Sequence, residues 1–150
     1  MNIVSVPMNL RTDGKIASLL RLWEASVRET HLFLCEQDIL SLRPCTDKAL
    51  RGINHLFTVE KEDGKPAAFM GMEGTKIEML FVAPEQRGRG IGKKLLRYAA
   101  DVLNAEYVDV NEQNPQAAGF YEHCGFSVFG RSEKDADGRP FPLLHMKKTP

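Results

Sequence analysis

Val82-Ala-Pro-Glu-Gln-Arg-Gly-Arg-Gly-Ile-Gly92 joins two stretches of different periodicity, and that junction decides the fold. Before it, Lys76 to Val82 is a near-continuous apolar run of strand length, which predicts a strand in the middle of a sheet; Pro84 ends it. After it, Leu95, Leu96, Ala99, Val102 and Leu103 fall on one side of a helix that starts at Ile91 and runs to about Leu103. Strand, glycine-rich turn and helix in that order bring the unpartnered first amides of the helix, and the positive end of its dipole, to the turn. Gly88, Gly90 and Gly92 let the backbone close around an anion, and Arg87, Arg89, Lys93 and Lys94 add positive charge. The stretch reads as a cradle for a polyphosphate.

Two familiar polyphosphate loops are excluded by position. A G-x-x-x-x-G-K-[ST] loop counted back from Gly92-Lys93 finds Arg87 in place of its first glycine and Lys94 in place of the magnesium-binding hydroxyl. A dinucleotide fingerprint starting at Gly88-x-Gly90 needs a third glycine at Lys93. What the residues do fit is Arg-x-x-Gly-x-Gly, across Arg87, Gly90 and Gly92.

Working outward, Ile3 to Val6 predicts a short first strand stopped by Pro7. Ile16, Leu19, Leu20, Trp23 and Val27 mark an amphipathic helix, with Thr12 or Asp13 as its cap. A loop at 29–34 leads to a helical stretch from about Glu36 that Pro44 is expected to interrupt, with a further turn or helix from Asp47 to Asn54. Leu56–Val59 and Ala67–Met72 form a hairpin around Asp63-Gly64, and Gly74 turns the chain into the Lys76 strand. Beyond the second helix come a short strand at Tyr107–Val110 and a third helix begun by Asn114-Pro115 and stopped by Gly125. A closing hairpin runs from Phe126 to about Glu133 and from Phe141 to Lys147 around Asp137-Gly138. The expected fold is one α/β (α+β) domain over 1–150: a mixed, largely antiparallel sheet flanked by helices.

Composition limits the function. The 150 residues carry 20 Lys plus Arg against 20 Asp plus Glu, which argues against a chain built to coat nucleic acid or an anionic membrane. Cys35, Cys45 and Cys124 form no C-x-x-C pair, so neither a disulfide framework nor a metal site is expected. No secretory leader or apolar span is visible, and a soluble, cytoplasmic protein is expected. A homodimer is compatible with the sequence.

On the Arg87–Gly92 loop and its surroundings the chain resembles the GNAT superfamily of N-acetyltransferases, whose coenzyme-A loop reads [QR]-x-x-G-x-[GA] after the fourth strand. Asn111-Glu-Gln-Asn-Pro-Gln-Ala-Ala-Gly-Phe-Tyr121 with Gly125-Phe126 resembles the second cofactor motif of that superfamily. Trp23-x-x-Ser26-Val-x-x-Thr30-His-x-Phe-Leu34, Gly130-Arg-Ser-Glu133 and Pro142-Leu-Leu144 are similar to bacterial peptidyl-lysine N-acetyltransferases of the YjaB type. The resemblance covers essentially the whole chain. It implies a sheet of about seven strands with about four helices, acetyl-CoA as co-substrate without a metal, and an amine acceptor, either a protein lysine or a small-molecule amine.

The resemblance also distributes roles. Arg87, Gly88, Arg89, Gly90, Ile91, Gly92 and Lys93 would hold the pyrophosphate. The end of the preceding strand, Leu80-Phe81-Val82, would pair with the pantetheine arm, the Leu80 amide facing the acetyl carbonyl. Backbone donors suit that work because they need no reorientation. Tyr121, on the inner face of the third helix with Ala117 and Cys124, matches the superfamily's proton donor to the coenzyme-A sulfur. Asn114 would bind near the thioester or serve only as the helix cap.

A base is needed because a lysine-like amine, with pKa about 10.4, is protonated at neutral pH. Many relatives carry a glutamate where this chain has Lys76. Glu78, an acid in an apolar strand and of the same parity as Lys76, is one candidate, and His31 in the loop beside the acceptor pocket is the other. His145 has only the closing strand's place near that pocket. Two non-enzymatic readings also keep the glycine loop: an acyl-CoA-binding module and a nucleotide-binding regulatory domain.

Overall fold

The computed structural model describes residues 2–150. In chain order the elements are β1 (Ile3–Ser5), α1 (Asp13–Thr30), α2 (Glu36–Gly52), β2 (His55–Glu60), β3 (Pro66–Glu73), β4 (Lys76–Val82), α3 (Ile91–Asp101), β5 (Tyr107–Asn111), α4 (Pro115–His123), β6 (Phe126–Ser132) and β7 (Leu143–Lys148), with 3-10 turns at Met8–Leu10 and Pro84–Gln86. The seven strands form one sheet in the order β1-β2-β3-β4-β5-β7-β6. The apolar β4 is its fourth strand, with Ile77 and Met79 buried.

Each face of the sheet is covered by one pair of helices. The α1 and α2 face buries Ile16, Leu19, Trp23, Val27, Ile39 and Leu50 with Phe69 and Met79. The α3 and α4 face buries Leu95, Leu96, Ala99 and Tyr121 with Ile77, Val108 and Val110. The cap of α1 is Thr12, whose hydroxyl accepts from the Lys15 amide at 3.2 Å. Arg11 fixes the end of α2: its guanidinium donates to the carbonyls of Leu50, Arg51 and Ile53, and also to that of Val6. A cation at a helix C-terminus meets carbonyls that have no partner within the helix.

Pro44 does not interrupt the second helix. α2 runs unbroken from Glu36 to Gly52 with Pro44 inside it. The proline is exposed, so the carbonyl it leaves unpaired one turn earlier, at the half-exposed Leu40, lies on the solvent side. The apolar side of α2 is undisturbed.

Two irregularities in β4 create the site. First, β4 and β5 run parallel and pair only at Lys76↔Tyr107 and Ile77↔Val108, after which they separate. Second, Gly71 of β3 pairs with Met79 and Met72 with Ile77, which leaves Glu78 as the extra residue of a β-bulge. The bulge reverses the alternation: Ile77, Leu80 and Val82 face the α3 and α4 side, while Met79 and Phe81 face α1 and α2. The break falls after Glu78, which keeps the parity of Lys76, and their side chains meet at 3.7 Å. Gly71 was the available signal, since a glycine within a strand often marks a bulge or a close approach. A Cβ there would lie 2.8 Å from side-chain atoms of both Ile53 and Met79.

Candidate active site

Where β4 and β5 part, a cleft of about 490 Å³ opens through the sheet. Residues of both faces line it: Ser26, Thr30 and His31 from α1 and its loop, and Ala117, Phe120 and Tyr121 from α4. Of the residues expected from sequence, Glu78, Leu80, Phe81, Val82, Arg87, Gly88, Gly90, Ile91, Gly92, Lys93, Asn114, His31 and Tyr121 all border this cleft, while Arg89 is not among its lining residues.

One end suits an anion. The cap of α3 is Gly90 at φ 79°, with no side-chain cap bond and no acid in the first turn. Gly88 also has positive φ, 77°. A Cβ at either position would meet nothing within 4 Å, so the left-handed backbone, not crowding, requires glycine. The first amides of α3, without partners inside the helix, and Arg87 and Lys93 beside them have the chemistry to hold an anion. Nearby, Gln86 is buried and its Oε1 has no hydrogen-bond partner. Sequence reasoning missed this residue. A ligand bringing an amide N–H into the cleft would satisfy it.

The middle of the cleft is an unpaired strand edge. The Ala83 amide donates to the Ala67 carbonyl at 2.8 Å, toward β3. By strand alternation the amides of Leu80 and Val82 point the other way, into the gap left by β5. An extended ligand can therefore pair with β4 here as a strand would. Asn114, buried, caps α4 by accepting from the Ala117 amide at 3.3 Å, which leaves its Nδ2 as the donor for a ligand. Both roles considered for Asn114 are thus open to it at once.

Tyr121 is buried against Phe120 and Phe126. Burial, with a smaller contribution from Cys124, pushes its phenol well above the ordinary range, so it holds its proton at neutral pH. His31 is driven the opposite way. Burial, and then the positive charge of Arg87, lowers its imidazole to about 4, so it is neutral near pH 7. Its Nδ1 lies 2.7 Å from Thr30 Oγ1, and its ring packs near Phe33 and Phe81.

Around Glu78 the structure adds a chain of polar residues that sequence reasoning did not assemble. Lys76 Nζ lies 2.7 Å from Asp109 Oδ2 and 3.7 Å from Glu78 Oε1. Asp109 Oδ1 is 2.6 Å from His145 Nδ1, and His145 Nε2 is 2.6 Å from Ser132 Oγ. Burial would raise the Asp109 carboxyl, but hydrogen bonds from Lys76 and His145 outweigh it and hold the group below its usual value. Among the described residues no group of three or more His, Cys, Asp or Glu is arranged to hold a metal.

The family described as "Acetyltransferase (GNAT) domain" matches residues 53–128. The peptidyl-lysine N-acetyltransferase YjaB of Salmonella typhimurium is 39% identical over 144 residues, covering 96% of this chain and 97% of the relative. The solution structure of apo YjaB from Escherichia coli superposes with a TM-score of 0.85 at 34% identity, covering 99% of this chain and 97% of that one. The PaiA N-acetyltransferase of Thermoplasma acidophilum, solved with coenzyme A, has the same fold, with a TM-score of 0.69 at 18% identity over 99% of this chain and 100% of that one.

Proposed function

The chain belongs to the GNAT family of acetyltransferases and is an N-acetyltransferase, and on that premise we propose that it moves acetyl from acetyl-CoA to the ε-amine of a protein lysine. The observation that carries this reading is the unpaired edge of β4, which leads from the α3 anion site to the buried phenol of Tyr121. The name of the YjaB relative supports the lysine acceptor, and the coenzyme A in the PaiA structure supports the donor.

In this reading Arg87, Lys93 and the amides following Gly90 hold the pyrophosphate. Val82 pairs with the pantetheine arm, Asn114 steadies its thioester end, and the Leu80 amide donates to the acetyl oxygen as negative charge develops there. Phe81 reaches the opposite face, where it packs near Phe69 and His31. Tyr121 gives its proton to the departing sulfur. Glu78, half-exposed at the bulge, accepts the proton of the incoming ammonium, directly or through water. His31, neutral, accepts a hydrogen bond from the amine and so aims its lone pair. The free cysteines, Cys35 and Cys45 exposed among them, fit a reducing cytoplasm.

The test is an acceptor screen that follows release of free coenzyme A, with lysine peptides, polyamines and small amines compared against water. Peptide-stimulated release supports the reading. Stimulation by small amines alone replaces the acceptor, and release that no amine accelerates overturns the transfer.

A further inference from the structure

Lys76 carries its ammonium to the place where β4 and β5 part. Ile77↔Val108 is the last rung between β4 and β5, and Glu78 and Asp109 are the next residue of each strand, where the cleft begins. Both border the cleft. An alkylammonium already lies between them, that of Lys76, 2.7 Å from Asp109 and 3.7 Å from Glu78. Resting on the lysine-acceptor reading above, we propose that Asp109 and Glu78 are the seat in which the acceptor's ammonium docks, and that Lys76 is a resident occupant which the acceptor must displace.

Three features support this. The seat is rigid before any acceptor arrives. Asp109 Oδ1 is fixed by His145 Nδ1, and His145 is fixed in turn by Ser132, so Oδ2 is left pointing to a cation. The occupant has somewhere to go. Lys76 is an ammonium on a four-carbon stem with its side chain 37% exposed, free to swing toward solvent when another cation takes its place. The chemistry also matches, since the group held here is the one a lysine acceptor presents. Displacement of one ammonium by another leaves both carboxylates paired throughout, so no buried charge is stranded. Lys76 would then raise the acceptor concentration the enzyme needs, and favour acceptors whose ammonium reaches past it on a long unbranched arm.

The test compares Lys76→Met, Asp109→Asn and the double variant. Two quantities are read: the KM for a lysine peptide, and the affinity for Nα-acetyl-lysine methylamide, by calorimetry on protein loaded with coenzyme A. Lys76→Met is expected to lower both the KM and the Kd about fivefold, and Asp109→Asn to raise them about tenfold. In the double variant the gain from losing Lys76 should vanish. An acceptor KM unchanged or raised in Lys76→Met overturns the proposal, as does a gain that persists without Asp109. The KM for acetyl-CoA separates a seat from a general fold defect, which would weaken both substrates. Should Asp109→Asn fail to fold, Lys76→Met decides alone. Binding in the expected order with no turnover of any lysine peptide supports the seat and sinks the lysine-transfer reading, while turnover without that order sinks the seat only.

Discussion

The hydroxyl of Thr30 decides which nitrogen of His31 carries the hydrogen. Thr30 Oγ1 lies 2.9 Å from the Ser26 carbonyl, to which it donates its one proton, and 2.7 Å from His31 Nδ1. The oxygen can then only accept from Nδ1–H, which leaves Nε2 with a free lone pair. Together with a pKa of about 4, this makes His31 a neutral acceptor facing the cleft.

A pH dependence follows. Unfolded, an imidazole takes a proton near pH 6.5, whereas folded His31 does so only near 4. Between those values the unfolded chain binds the extra proton, so stability conferred by the neutral ring is complete above pH 6.5 and lost as pH falls toward 4. Urea titrations should show His31→Gln with a shallower loss of stability across that window. An identical slope in both proteins would contradict the depressed value.

Replacing Tyr121 with Phe removes the phenolic proton and keeps the ring against Phe120 and Phe126. Turnover should fall roughly 10²-fold or more, the usual scale for losing a positioned acid. Coenzyme A affinity measured by calorimetry should stay within about threefold, since a ring that only fills space is preserved by this change. Turnover within a small factor of the native protein would remove Tyr121 from the chemistry.

Gly90→Ala tests the anion site without adding a clash, because a Cβ there meets open space. The cost is the left-handed φ of 79°, about 1 kcal/mol for a residue with a side chain. If α3 relieves that strain by shifting its first turn, its amides leave the phosphates. The KM for acetyl-CoA should then rise about tenfold while the melting temperature falls only a few degrees. An unchanged KM would show that the amides do not bind the donor.

Arg11→Met should destabilise the fold by about 3 kcal/mol, because buried carbonyls at Val6, Leu50 and Ile53 lose a charged donor. The urea midpoint should drop with its slope unchanged. A loss below about 1 kcal/mol would mean that water replaces the guanidinium.

What the sequence made legible was local. The glycine loop, the Asn114-Pro115 helix start and the Asp-Gly hairpins each declare themselves within a few residues, because their chemistry is that of neighbouring backbone groups. Pro44 misled because its effect depends on which side of α2 faces water, a fact set by distant packing. The Glu78 bulge was hidden because register belongs to two strands, and only Gly71 hinted at it. Asp109, His145 and Ser132 meet from β5, β7 and β6, and no spacing along the chain announces that contact. Because β7 inserts between β5 and β6, even a correct closing hairpin leaves those neighbours unspecified.

The separation of β4 from β5 has a kinetic consequence. The cleft is lined from the α3 and α4 side of the sheet and from the α1 and α2 side. In the proposed transfer, donor and acceptor would reach it from opposite faces, so neither would have to leave before the other enters. Both can be aboard together, and no acetyl needs to be parked on the protein between visits. Initial-velocity lines at fixed acceptor concentrations should intersect, the pattern of a ternary complex, where parallel lines would indicate alternating occupancy.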